Sequence, residues 1–138
     1  MLSAYLNFNG NCAEAFKFYE RCLGGTIEML MTHGESPMKD QFPAEWRDKV
    51  MHMRMKVGGD TLMGSDAPPD GYSAPHGMCV SISAPTRPDA ERIFNELSAD
   101  GKITMPFQQT FWSSGFGMAV DRFGIPWMVN CEVAAPVG

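Results

Sequence analysis

The sequence is short of positive charge. Its 11 lysines and arginines are outnumbered by 16 aspartates and glutamates, for a formal net charge of -5. Neutralising nucleic-acid phosphates takes a basic face, so no nucleic-acid partner is expected. Long apolar runs are missing too. None approaches the roughly 20 residues that span a bilayer, so no membrane partner is expected. The first residues lack the basic start and apolar core of a secretory signal, and a cytoplasmic location is expected. The four cysteines, Cys12, Cys22, Cys79 and Cys131, form no C-x-x-C pair. They read as reduced and mostly buried thiols, and a structural zinc is not expected. Histidine is scarce: only His33, His52 and His76 are present. No Ser-His-Asp arrangement can be read from them. No G-x-G-x-x-G joins a strand to a helix, so a Rossmann-type cofactor site is absent and no cofactor is expected.

What is present is an ordinary globular composition, 44% hydrophobic and 20% charged, in 138 residues. A chain of that length fits one domain and buries roughly two thirds of its unfolded surface. Twelve methionines stand out. Methionine is soft and adapts to irregular shapes, so it marks either an adaptable apolar pocket or simple core filling.

The chain reads as two halves with one plan. Residues 3–9, "SAYLNFN", suggest a strand. "NCAEAFKFYERCLGG" suggests a helix with Asn11 as cap and Glu14 as its capping-box partner. Its apolar stripe is Cys12, Ala15, Phe16, Tyr19, Cys22 and Leu23, and Gly24-Gly25 stops it. "TIEMLMTH", "VMHMRMKV" and "DTLMGS" follow as strands, the last two around the turn at Gly58-Gly59. The second half repeats this order. "GMCVSISA" (77–84) is a strand, and "TRPDAERIFNELSADG" is a helix with Thr86 as N-cap, Pro88 in its first turn and Gly101 at its end. That helix carries a stripe of Ala90, Ile93, Phe94 and Leu97. "KITM" (102–105) is a short strand, and "GFGMAVD" and "IPWMVNCE" form a hairpin around Phe123-Gly124. The expected fold is α+β, a single domain of two βαβββ modules at about 1–66 and 77–133. The first half also carries an extra polar piece, "GESPMKDQFPAEWRDK", read as a surface excursion bearing Trp46.

Two βαβββ modules in one chain resemble the vicinal oxygen chelate superfamily, which includes glyoxalase I, bleomycin-resistance proteins and extradiol dioxygenases. The wording of "FNGNCAEAFKFYERCLGG", "LMGSD" and "MPFQQTFWSSGFGMAVDRFGIPWMVN" resembles the PhnB-like branch, also labelled 3-demethylubiquinone-9 3-methyltransferase-like. The resemblance implies that each module curls its strands into a half-barrel, that paired modules form a curved-sheet cleft, and that modules pair within a chain or across two. In the superfamily's enzymes, carboxylate and imidazole ligands project from the strands onto a metal that acts as a Lewis acid.

Placed on that pattern, the four ligand positions fall near Ala4, His52, Gly77 and Met128. Only His52 can bind a hard or borderline divalent ion, and a catalytic site needs about three protein ligands. The expectation is therefore no metal. Strict alternation puts Val50, His52, Arg54 and Lys56 on one face of their strand and Met51, Met53, Met55 and Val57 on the other. The apolar face is expected under the helix. His52 and Arg54 are expected to line a cavity with Met128 and Asn130, the alternative being a solvated polar face.

The stretch "TFWSSGFG" (110–117) makes Phe111 and Trp112 candidates for a pocket wall or lid, the alternative being aromatics that plug the core. Trp127 and Met128 must face opposite ways, and Asn130 shares the face of Met128. Cys79 shares the face of Ser81. It is a reactive thiol only if a cation such as Arg54 or His52 lowers its pKa, and is otherwise inert. The methyltransferase label implies S-adenosylmethionine, yet the sequence offers neither a phosphate cradle nor an acidic ribose ligand. The leading expectation is a small-molecule-binding protein, as a homodimer that covers exposed sheet edges by two-fold symmetry. The alternatives are a metal-dependent lyase, isomerase or dioxygenase of the vicinal oxygen chelate type, or a metal-free enzyme using His52, Arg54 or Cys79.

Overall fold

Alternation decides the first strand. In β1 (Ala4–Phe8), Leu6 and Phe8 are buried while Tyr5 and Asn7 are exposed. The computed structural model describes residues 1–68 and 70–135 and divides into two compact units, one of residues 1–73 and one from Ala74 onward. The first unit continues through α1 (Cys12–Leu23), β2 (Thr26–Thr32), β3 (Val50–Val57) and β4 (Asp60–Asp66). The second comprises β5 (Val80–Ala84), α2 (Arg87–Ser98), β6 (Lys102–Gln108), β7 (Phe116–Val120) and β8 (Pro126–Cys131). Each is βαβββ, and the fold is α+β.

The sheets share one topology. Their orders are β1-β4-β3-β2 and β5-β8-β7-β6, with the first and last strand of each module parallel neighbours. The module helix returns the chain to the far edge, and two hairpins then bring it back beside the first strand. Helix α1 lies against β2, β3 and β4, and α2 against all four strands of its sheet.

In α1 the expected stripe is buried at Cys12, Ala15, Phe16, Tyr19 and Cys22, whereas Leu23 is only half-buried and Phe18 joins the core instead. Phe18 sits against Tyr19 with ring centroids 5.8 Å apart. In α2 the stripe of Ala90, Ile93, Phe94 and Leu97 is buried as read. The larger of these side chains, Phe16, Phe18, Ile93, Phe94 and Leu97, contribute about 1.5–3 kcal/mol each when fully buried. Helix and sheet approach closely where the sheet carries glycine. A Cβ on Gly64 would stand 2.8 Å from the Phe16 ring, and one on Gly117 would stand 2.8 Å from the Phe94 ring.

The start of α1 differs from expectation. Asn11 occupies the cap position but makes no side-chain cap bond. The free amides are taken by Asp66 at the end of β4, whose Oδ1 accepts from Gly10 N at 3.0 Å and Cys12 N at 2.9 Å. Its Oδ2 accepts from Val50 N at 2.9 Å. One buried carboxylate thus joins the β1–α1 turn, the helix N-terminus and the start of β3, where a negative charge also meets the positive end of the helix dipole. Thr86 does cap α2, accepting from Asp89 N at 3.3 Å. Gly24 ends α1 at φ 70°, the left-handed conformation that glycine adopts without penalty.

Two strand boundaries and one buried residue also differ from expectation. Strand β5 begins at Val80 rather than at Gly77, and β6 runs on to Gln108 beyond the expected Met105. Val50 is 2% exposed rather than sharing the open character of His52. The pairing explains it: Met31 faces His52 while the next residue, Thr32, faces Val50. The extra residue, Met51, breaks the alternation as a bulge does. The excursion after β2 contains three short 3-10 turns, His33–Glu35, Lys39–Gln41 and Ala44–Trp46. It has a small core of its own, in which buried His33 sits 4.5 Å from Phe42 and 6.4 Å from Trp46, ring centre to ring centre.

Replacing Asp66 with Asn removes a charged acceptor from three backbone amides. Urea denaturation is expected to show a loss of about 3 kcal/mol for Asp66→Asn, against about 1 kcal/mol for Thr86→Ala.

Candidate functional site

Each sheet has one face under its helix and one face turned away from it. The pairings identify the side chains on the second face. In the first sheet one row crosses Met29, Arg54, Met63 and Tyr5, because each is the register partner of the next. Beside it, Met31 pairs with His52, and Ser65 of β4 pairs with Asn7 of β1. Met53 and Met55, one residue away from His52 and Arg54, are fully buried. The expected division of β3 therefore holds from His52 onward.

Tyr5 is the residue that the sequence reading missed. Its hydroxyl lies 3.1 Å from His52 Nδ1. The two rings stack, with centroids 5.6 Å apart and planes 22° from parallel. The ligand position on the first strand was expected near Ala4, but Ala4 shares the parity of buried Leu6 and Phe8. The open-face position is Tyr5. The alternation of "AYLNF" held this signal, since the two large apolar residues of the segment flank Asn7. Beside the pair, Arg54 Nε meets Glu28 Oε2 at 3.3 Å, a half-exposed ion pair worth little to stability.

In the second sheet the open face carries two rows. One joins Ser81, Met128, Met118 and Met105. The other joins Ser83, Asn130, Phe116 and Gln108. Met128 and Asn130 thus lie together on the face opposite α2. Trp127 points the other way, 2% exposed, with Nε1 donating to Asp121 Oδ2 at 2.8 Å. Asn130 Oδ1 is buried and has no hydrogen-bond partner among the described residues. Its neighbour Phe116 is covered by Trp112, edge to face at 5.2 Å. Trp112 is 48% exposed and Phe111 is 92% exposed. Neither aromatic plugs the core. The loop beneath them is firmly tied, because Ser113 Oγ lies 2.8 and 2.9 Å from the carbonyls of Gly115 and Cys131, which share its one proton, and accepts from Gly115 N at 3.1 Å.

Methionine follows the faces. Met53 and Met55 fill the core, but Met29, Met31 and Met63 lie on the open face of one sheet, and Met105, Met118 and Met128 on that of the other. Half of the twelve methionines therefore line faces that no helix of their own unit covers.

The superfamily's metal can be tested against these donors. The open-face positions offer one imidazole, His52, together with a phenol, amides, hydroxyls and thioethers. Among the described residues no group of three or more His, Cys, Asp or Glu stands close enough to share an ion. A zinc, iron, manganese or nickel centre needs about three nitrogen, carboxylate or thiolate ligands, so this donor set does not fit one.

The thiols divide by burial. Cys12, Cys22 and Cys131 are buried, and Cys79, just ahead of β5, is half-buried. Burial, and then the nearby Asp66 carboxylate, push the Cys12 thiol far above its ordinary range. Titration of native protein with an aromatic disulfide reagent should therefore release about one thiol per chain, from Cys79, and all four only in denaturant.

The comparisons with known proteins agree with this architecture. The chain is 37% identical over 143 residues to Protein YjdN of Escherichia coli (strain K12), an alignment spanning 98% of this chain and 97% of that protein. The crystal structure of protein PA1353 from Pseudomonas aeruginosa superposes with a TM-score of 0.87 at 47% identity, covering 96% of this chain and 97% of that one. A PhnB protein from Bacillus cereus shares the fold at a TM-score of 0.76 and 21% identity, over 94% and 98% of the two chains. The family model that matches spans residues 3–129, and the chain belongs to the Glyoxalase/Bleomycin resistance protein/Dioxygenase superfamily.

Proposed function

We propose that this chain is a small-molecule-binding member of its superfamily that works without the superfamily's metal. The observation that carries the reading is the make-up of the open sheet faces. Met29, Met31 and Met63 on the first sheet, and Met105, Met118 and Met128 on the second, make each open face apolar and deformable, which suits a ligand of irregular shape. Set into each face are a few polar groups able to fix orientation, as ligand sites generally require. On the first sheet these are His52 and Arg54. On the second it is Asn130, whose oxygen has no partner among the described residues, beside the aromatic wall of Phe111 and Trp112. Met128 belongs to the floor, and Cys79 to its margin.

The protein would act in the cytoplasm as a homodimer of single-domain chains, with a second copy covering part of each chain's apolar surface. The support is the exposure of Leu30 on edge strand β2 and of Ile103 and Met105 on edge strand β6, at 39%, 51% and 37%. Exposed apolar edges are commonly covered in this way.

Three measurements test these claims. Elemental analysis of protein purified without chelator should find far less than one zinc, iron, manganese or nickel per chain. One tightly held equivalent would overturn the metal-free reading. Light scattering should give twice the 15.2 kDa chain mass, and a constant single-chain mass at all concentrations would remove the dimer. Screening a chemically diverse fragment library by protein-observed NMR should move the methyl signals of the open-face methionines and leave those of Met53 and Met55 still.

A further inference from the structure

We propose that the open face of the first sheet is a site for an organic carboxylate, with Tyr5 setting the tautomer in which His52 receives it. This rests on the small-molecule reading above and names the ligand's chemistry. Strand β3 presents His52, Arg54 and Lys56 on one face at two-residue intervals, roughly 6.6 Å apart along an extended strand. Lys56 pairs with Thr26 and Thr61, and Arg54 with Met29 and Met63, so no acid lies directly across from either. The charged and titratable groups meeting them are few. From β2 comes Glu28, which engages Arg54 through Nε at 3.3 Å. From β1 comes Tyr5, and β4 supplies Thr61, Met63 and Ser65. Among the described residues named here, one carboxylate, Glu28, stands against the two cations Arg54 and Lys56, in a chain whose net charge is -5. The local excess of positive charge runs against the composition of the whole protein.

The Tyr5–His52 contact gives this face its direction. A phenol is a stronger hydrogen-bond donor than a neutral imidazole. In the proposed arrangement of the 3.1 Å contact the Tyr5 hydroxyl donates and Nδ1 accepts. The ring proton then sits on Nε2, because the bond made by one ring nitrogen sets the state of the other. His52 thereby offers an N–H donor from the nitrogen that Tyr5 does not hold, while Arg54 keeps both terminal nitrogens beyond the single Nε contact with Glu28. A guanidinium fork matches a planar carboxylate in two parallel hydrogen bonds. The flanking thioethers of Met29, Met31 and Met63 are chemically suited to the ligand's apolar body. Tyr5 is then a positioning residue acting through His52.

The test uses full-length protein and two matched probes, phenylacetate and its neutral isostere phenylacetamide. Long-range proton–nitrogen correlation spectra of the histidine rings report the tautomer directly. His52 should show the Nε2–H form in the wild type, and Tyr5→Phe should shift it toward a mixture while the backbone amide spectrum stays folded. Phenylacetate should shift the His52 Nε2 signal and bind about tenfold more tightly than the amide. Arg54→Gln should remove most of that preference. An Nδ1–H tautomer in the wild type, or an unchanged ring spectrum in Tyr5→Phe, would overturn the role of Tyr5. Equal affinity for acid and amide, a preference that survives Arg54→Gln, or no binding of phenylacetate would overturn the carboxylate site. The small-molecule reading fails separately, if no member of the fragment library moves the open-face methionines.

Discussion

Each four-stranded sheet in this protein is covered by a single helix, and almost everything else follows from that. A strand sends successive side chains to opposite faces. With one helix per sheet, half of those side chains must be core and the other half must face something else. The core half is aliphatic and aromatic, with Leu6, Phe8, Met53, Met55 and Leu62 in one unit and Ala84, Trp127, Val129 and Cys131 in the other. The other half is a mixture of methionine, hydroxyls, amides and, in the first sheet, charge. A solvated face has little use for methionine, and a second core face has little use for His52, Arg54 and Asn130. The proposed ligand-binding role rests on this mixture.

Holding those faces in place falls largely to two buried carboxylates. Asp66 joins the β1–α1 turn, the N-terminus of α1 and the first residue of β3. Asp121 does the equivalent work in the second unit. It accepts from Phe123 N and Ile125 N, closing the β7–β8 turn, and from the indole N–H of Trp127. Each aspartate is about as buried as the core hydrophobes, at 3% and 4% exposure. A buried charge persists only where hydrogen bonds replace the water it has lost, and both carboxylates are saturated with donors. Their position at strand ends leaves the centres of the open faces to other chemistry.

Much of this was legible in the chain. The repeated order of elements, the turn glycines and the stripe of α2 are local patterns, and local patterns survive folding. His52, Arg54, Met128 and Asn130 could be assigned to their faces by counting in twos, since no bulge intervenes between each pair. Val50 could not, because one extra residue at Met51 resets the count and nothing in "VMHMRM" marks it. Leu23 and Phe18 exchanged places because they lie at the margin of the helical stripe, where a small rotation of the helix on its sheet decides burial.

By itself, the sequence determined the fold class and the two-module repeat, since both depend on patterns and spacing along the chain. Only the tertiary structure decided that Tyr5 meets His52, that Asp66 rather than Asn11 serves the first turn of α1, and that half the methionines lie on the open sheet faces. The reason is distance along the chain. Tyr5 and His52 are 47 residues apart, and Asp66 and Cys12 are 54 apart. They become neighbours only when β4 inserts between β1 and β3, a pairing that no local pattern in either segment announces.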